Sequence, residues 1–295
     1  MACSASTRSE TAGAGDSALA YVNAQVAFGP RVPGTPSHER AGDWIAAHLQ
    51  SRCDTALVQR WTQGTTHGDS LPLRNFLGRF QPRLSNRVLY VAHWDTRPVA
   101  EKDPIVANRD RPIAGANDGA SGVALLLAVA DLLARAPPTV GVDLLFVDGE
   151  DYGDFSDPGM ADVLLGSRHF AEHVPDSAYR PLFGVVWDMI GDRTLTIARE
   201  PLSMRGAPEV VELVWRTAEA LGHGDVFVRR VTDPILDDHV PLLQAGLHVI
   251  DVIDLDYRGP SGQNYHHTLA DTPDKVSAKS LQVMVDVAMA LVREP

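Results

Sequence analysis

Four short apolar runs, at residues 88–92, 142–147, 182–187 and 247–253, constrain this chain more than any other feature, because three of them run into acids or an imidazole. The first ends at His93 and Asp95, the second at Glu150 and Asp151, the third at Asp188. Runs that carry apolar residues for both faces rather than only at alternate positions must be covered on both faces. Helical spacing at 122–134, 209–221 and 280–292 supplies the cover, so strands and helices alternate as in an α/β protein. In an open α/β sheet the carboxyl ends of the strands face one crevice, where side chains distant in sequence converge. A single Asp after a strand reads as a turn former or helix cap. Repetition of the pattern points to a site.

The 295 residues allow one large or two ordinary domains at about 150 residues each. No repeat or linker divides 18–295, which is read as one catalytic domain. Residues 1–17 are small and polar and are read as a flexible tether. A helix is expected over 18–28 and another from Ser37, taken as its N-cap, with Ala41, Trp44, Ile45 and Leu49 on its buried face. Stretches 63–70, 97–111 and 154–162 are aperiodic and read as loops, the last two beside the chemistry. The balance of 26 Lys+Arg against 38 Asp+Glu, net −12 and without a basic run, offers nothing to a nucleic acid. The longest unbroken apolar stretch, 123–130, is far short of the roughly 20 residues a spanning helix needs.

With only Cys3 and Cys53, any metal must be held by His and carboxylate. Asp118, among small residues in GANDGASG, stands at the mouth of an apolar helix and reads as its N-cap or, in preference, as a metal ligand approached closely by backbone. His266 and His267 are adjacent in a polar loop, which favours a site over a core role. Glu150 and Asp151 would point to opposite sides in extended backbone; a turn there, which Tyr152 and Gly153 permit, lets one bind metal while the other faces substrate. Metal-assisted carbonyl chemistry needs that pair: a Lewis acid to polarise the carbonyl and a carboxylate to move a proton.

AHWDTRP, GANDGASG, VDGEDYGD, LLGSRHFA, VVWDMIGD, LDDHVPLLQAGLHVIDVID and YHHTLADTPDKV occur in this order from residue 92 onward. In order and spacing they resemble the zinc-dependent superfamily (M28-type) that unites bacterial leucyl-type aminopeptidases with animal-type glutaminyl cyclases. The resemblance implies a three-layer α/β/α sandwich around a mixed, mostly parallel, twisted sheet. It implies Asp118, Asp151 and His267 as ligands of a catalytic zinc and Glu150 as general acid/base. His93 and Asp188 match the extra ligands of a second zinc in the two-metal aminopeptidases, with Asp118 bridging. Asp95 matches a carboxylate that orients an imidazole. Asp237 matches an acid that the cyclases link to Glu150 and Asp188 by hydrogen bonds.

That last correspondence favours a glutaminyl-peptide cyclotransferase, which converts N-terminal glutamine of a peptide or protein to pyroglutamate and releases ammonia with one zinc. A di-zinc aminopeptidase is the alternative, and a catalytically inactive binding module of the same fold a second. Two departures bear on specificity: His266 stands where cyclases place a Trp, and 152–164 shows no Trp for the pocket. His169, His223 and His248 read as packing or surface histidines, His239 as a brace for Asp237, and Trp44, Trp187 and Trp215 as core. The N-terminal stretch beginning near Cys3 resembles the mature start of a bacterial lipoprotein. A lipid anchor and an extracytoplasmic location are therefore expected, with an ordinary frayed terminus in the cytoplasm as the alternative.

Overall fold

The computed structural model describes residues 9–156, 159 and 161–295; Cys3 and its expected anchor lie outside them. The central sheet has six strands: β1 Thr55–Gly64, β2 Ser70–Phe80, β3 Arg87–His93, β4 Gly141–Val147, β5 Phe183–Asp188 and, last in the chain, β8 Val249–Ile253. They lie in the order β1-β2-β4-β3-β5-β8. β4, β3, β5 and β8 run parallel, while β2 is antiparallel to β4 and to β1. A separate pair, β6 Ile197–Arg199 and β7 Phe227–Val231, forms a small parallel sheet. The four runs legible in the sequence are the four parallel strands; the β1–β2 hairpin and the β6–β7 pair are not among the expected elements. Half-exposed β1 carries too few apolar residues for that signal.

Every residue of β3, β4, β5 and β8 is buried, as runs without alternation require. Val88, Tyr90 and Ala92 of β3 pack on one face with the helices Ala14–Ala27, Pro36–Arg52, Ala120–Arg135, Pro208–Ala220 and Ala278–Arg293. Leu89 and Val91 pack on the other with Phe170 of Leu165–Glu172 and Leu242 of His239–Gln244. This is the expected three-layer sandwich. Trp187 and Trp215 are core side chains, and so is Trp94, whose indole N–H donates to the Arg74 carbonyl. From β3 the chain crosses to β4 on one side, then back over β3 to β5 on the other. The crevice where this order reverses opens between the ends of β3 and β5, at His93 and Asp188.

Two expectations are corrected. Thr35, not Ser37, caps the second helix, its hydroxyl accepting the His38 N–H, with Pro36 at the first helical position. The segment 1–17 is not a tether from residue 9 on: the first long helix begins at Ala14, and Thr11 is buried with its hydroxyl 2.5 Å from Asp286 Oδ1. The small residues at its start blur the amphipathic spacing there yet let it pack tightly, since a Cβ on Gly15 would lie 2.2 Å from the Ala278 carbonyl oxygen.

The same close approach sets the central helix, Ala120–Arg135, against the sheet: a Cβ at Gly122 would meet the Trp187 carbonyl oxygen at 2.0 Å. In an open helix Gly→Ala stabilises by about 1 kcal/mol. Here the neighbour is backbone and cannot yield, so Gly122→Ala is expected to destabilise by about 1–3 kcal/mol. Thermal unfolding reads the sign, and a raised Tm contradicts the packing.

Candidate metal centre and acidic cleft

Each strand end delivers its side chains as polar groups in an otherwise apolar setting. His93, at the end of β3, lies with Nε2 3.1 Å from Asp188 Oδ1 of β5 and 3.2 Å from Asp118 Oδ1. Asp118 does not cap its helix: the capping position is Gly119, with no side-chain hydrogen bond. Its carboxylate turns instead to the crevice, where Oδ2 is 3.6 Å from His267 Nε2. His267 Nε2 is also 3.4 Å from Asp151 Oδ1. The turn that separates Glu150 from Asp151 hinges on Gly149, which takes φ +67°, rather than on Tyr152 and Gly153. Close approach is again needed at Gly119, where a Cβ would sit 2.6 Å from His93 Cε1.

Carboxylates accepting backbone N–H groups hold these loops. Asp95 takes the amides of Glu150 and Asp151 on its two oxygens at 3.1 and 3.2 Å, and lies 3.5 Å from His93 Nδ1, so it fixes the turn as much as the imidazole. Asp271 does the same for Asn117 and Asp118, at 2.8 and 3.2 Å. Arg97 Nη1 lies 2.9 Å from Asp151 Oδ1 and Nε 2.8 Å from Glu101 Oε2, and the other Glu101 oxygen meets His267 Nδ1 at 2.6 Å. That contact leaves His267 Nε2 facing the crevice. Sequence reasoning missed Arg97, Glu101 and Asp271. The first two sit in the loop flagged as lying beside the chemistry, and Asp271 in the motif that carries His267, but nothing local says where they point.

Glu150, Asp188 and Asp237 are all buried and line the same cleft, of about 1090 Å³. Asp237 Oδ2 has no hydrogen-bond partner among the described residues. His239 does not brace it directly; the carboxylate oxygen nearest to His239 Nε2 is Glu200 Oε2, at 3.3 Å. The wall after Asp151 contributes Phe155, over whose ring the Arg97 guanidinium lies 5.9 Å away. The stretch lacking a Trp thus still puts an aromatic in the pocket.

Carboxylates outnumber cations here, and proton affinities record it. Burial pushes the Asp188 carboxyl up to about 7, helped by Asp237 and Asp118 against the pull of His93. Burial, with Asp151 and Asp237, raises Glu150 well above the usual range. Burial disfavours charge on His267, but Asp151, Glu101 and Asp118 lift it to about 9. On His93 the same contest is won by Asp118, Asp188 and Asp95, which raise it far above an ordinary imidazole. A divalent cation would satisfy this excess of negative charge.

The donor geometry fits one. Metal–ligand bonds of about 2.0 Å in a tetrahedron put donors about 3.3 Å apart, close to the 3.1–3.6 Å separations found here. Two groups qualify, His93 with Asp118 and Asp188, and Asp118 with His266 and His267; Asp118 belongs to both. Asp151, expected from sequence as a ligand with Asp118 and His267, is not in that group, but its Oδ1 lies 3.4 Å from His267 Nε2.

Residues 75–292 match peptidase family M28. The chain belongs to that family. Among solved structures it resembles a glutaminyl cyclase from Tannerella forsythia, with 38% identity and a TM-score of 0.89 over 95% of this chain and 98% of that one. A Zn-dependent exopeptidase from Parabacteroides distasonis is as near, with 34% identity and a TM-score of 0.89 over the same shares. Aminopeptidase YwaD of Bacillus subtilis is 25% identical over 75% of this chain but only 44% of its own length, so this M28 chain spans less than half of that relative. Among the described residues no helix is long and apolar enough to cross a membrane.

Since Asp118 serves both donor groups, Asp118→Ala is expected to abolish metal binding altogether, whereas His93→Ala leaves the His267 group able to bind. Elemental analysis of the desalted variants checks this, and undiminished metal in Asp118→Ala removes the assignment. A chelator is expected to lower Tm, because the buried carboxylates then repel one another; a Tm indifferent to chelation counts against a metal centre.

Proposed function

We propose that this M28 protein is a zinc-dependent glutaminyl-peptide cyclotransferase acting on N-terminal glutamine of peptides or proteins. The observation that carries the reading is the convergence of Glu150, Asp188 and Asp237 on one cleft with the residues that would hold the metal. Cyclisation takes a proton from the α-amine and delivers it to departing ammonia, a relay in which Asp188 and Asp237 can hold the proton beside Glu150. The likeness to the Tannerella cyclase supports the same reading.

Asp118, Asp151 and His267 would hold the zinc, which as a Lewis acid polarises the side-chain amide carbonyl. Glu150 accepts the proton of the attacking amine and returns it to the amide nitrogen. The new bond joins the α-nitrogen to the side-chain carbonyl carbon, the bond to the amide nitrogen breaks, and pyroglutamyl peptide and ammonia leave. Asp188 and Asp237 hold the proton near Glu150. Arg97 and Glu101 keep Asp151 and His267 in place.

A second reading, a di-zinc aminopeptidase, is favoured by the His93, Asp118 and Asp188 group, whose donors would suit a second ion. In the cyclase reading His93 remains an imidazole hydrogen-bonded to Asp188 instead.

Peptides with N-terminal glutamine are expected to release ammonia without loss of a residue, while amino-acid anilides stay intact. Anilide hydrolysis without ammonia release would overturn the cyclase in favour of the peptidase. Glu150→Gln is expected to lower turnover by about 10²–10⁴-fold at unchanged zinc content. Full turnover in that variant removes the base assignment.

A further inference from the structure

Arg31 lies between the helices Ala14–Ala27 and Pro36–Arg52, is completely buried, and turns its guanidinium onto three main-chain carbonyls. Nε donates to the Trp94 oxygen at 3.0 Å, Nη1 to that of Ala114 at 3.0 Å and Nη2 to that of Gly115 at 2.8 Å. Its own carbonyl accepts the Thr96 N–H at 3.3 Å. One residue therefore holds the loop after β3 on both sides of Asp95, whose carboxylate takes the Glu150 and Asp151 amides. The same residue holds the turn before Asp118, where the Gly115 carbonyl also accepts the Ala120 N–H that opens the central helix, at 3.3 Å. His93, Asp95 and Asp118 thus stand on two backbone segments that meet at a single side chain, outside the residues that line the cleft.

We propose that Arg31 is a positioning residue of the metal centre: by binding carbonyls of both segments at once it sets the spacing of His93, Asp95 and Asp118 and readies the site for a divalent cation. This role rests on the reading that these donors hold a metal, and it is the same for a cyclase or a peptidase. A planar guanidinium points its N–H groups in fixed directions from three nitrogens, so it holds three acceptors at set distances from one another. A lysine ammonium offers its donors from one atom at the end of a flexible stem and cannot span them. Carbonyls deprived of the guanidinium would lose a partner away from water, and the segments would shift to find another. His93 Nε2 and Asp118 Oδ1 are 3.2 Å apart, a separation that suits two ligands of one ion, and a displacement of either segment spoils it. Arg31 reaches the reaction only through the backbone it holds.

Zinc affinity, measured by competition with a chelating dye on variants shown to be folded by circular dichroism, is expected to fall about 10–100-fold in Arg31→Lys and Arg31→Met. In cobalt-loaded Arg31→Lys the visible absorption of the ion is expected to change in position or intensity, because the ligand geometry has changed; a loss of stability alone leaves it as it was. Either an unaltered affinity or an unaltered cobalt spectrum overturns the proposal. Should the unmodified protein bind no divalent cation, the metal-centre reading falls and the proposal with it. Tight binding of zinc by the unmodified protein, matched by Arg31→Lys, removes only the role of Arg31.

Coupling between sites is reciprocal, so a residue that readies the site for zinc is held more firmly once zinc is bound. By nitrogen-15 NMR of the unmodified protein, exchange of the Arg31 Nε proton with solvent is expected to be about 10-fold slower with zinc than without it. This measurement decides even where neither variant folds: an exchange rate indifferent to zinc overturns the proposal.

Discussion

Too many carboxylates buried in one crevice is the constraint on which the rest of this structure depends. Asp118, Glu150, Asp151, Asp188 and Asp237 lie together in the cleft or at its edge, each with little access to water. Negative charge at that density is costly in a low-dielectric interior unless it is neutralised by protons, imidazolium, guanidinium or a metal ion. The described residues there supply Arg97, Lys102, His93 and His267, still fewer than the carboxylates. The remaining demand for positive charge is what suits the crevice to a metal ion.

A charge-dense site also needs a frame that resists repulsion. Backbone amides provide much of it: Asp95 and Asp271 each clamp two successive N–H groups, so the loops bearing Glu150, Asp151 and Asp118 are tied at the peptide rather than through flexible side chains. Hydrogen-bonding a carboxylate to amides keeps its charge while denying the loop other conformations. Glycines complete the frame by absence. At Gly119 a side chain would collide with the His93 imidazole, and at Gly122 with the end of β5, so the central helix approaches as closely as backbone allows.

Legibility in the sequence followed physical locality. The parallel strands were visible because burial on both faces writes a mostly apolar run, and His93, Asp118, Glu150, Asp151, Asp188, Asp237 and His267 because they follow such runs or sit in compact motifs. The structure brings six of them to one cleft and sets the seventh, His93, against Asp118 and Asp188. The β1–β2 hairpin was invisible because its outer strand alternates weakly at the sheet edge. The start of the first long helix, residues 14–17, was misread as tether because alanine and glycine give little amphipathic contrast, although they are what permits its contact with the C-terminal helix. Phe155 was overlooked because the search in that loop was for an indole.

By itself the sequence determined the chemistry on offer: oxygen and imidazole donors rather than thiolates, an excess of acid, and strand ends on which to mount them. Those properties are carried by residue type and by spacing within a few residues. Only the tertiary structure decided which nitrogen of His266 or His267 faces the cleft, that Arg97 and Glu101 hold Asp151 and His267, and that Asp118 is shared between two donor groups. Each depends on partners brought together by the reversal of strand order from far along the chain, 166 residues away in the case of Glu101 and His267.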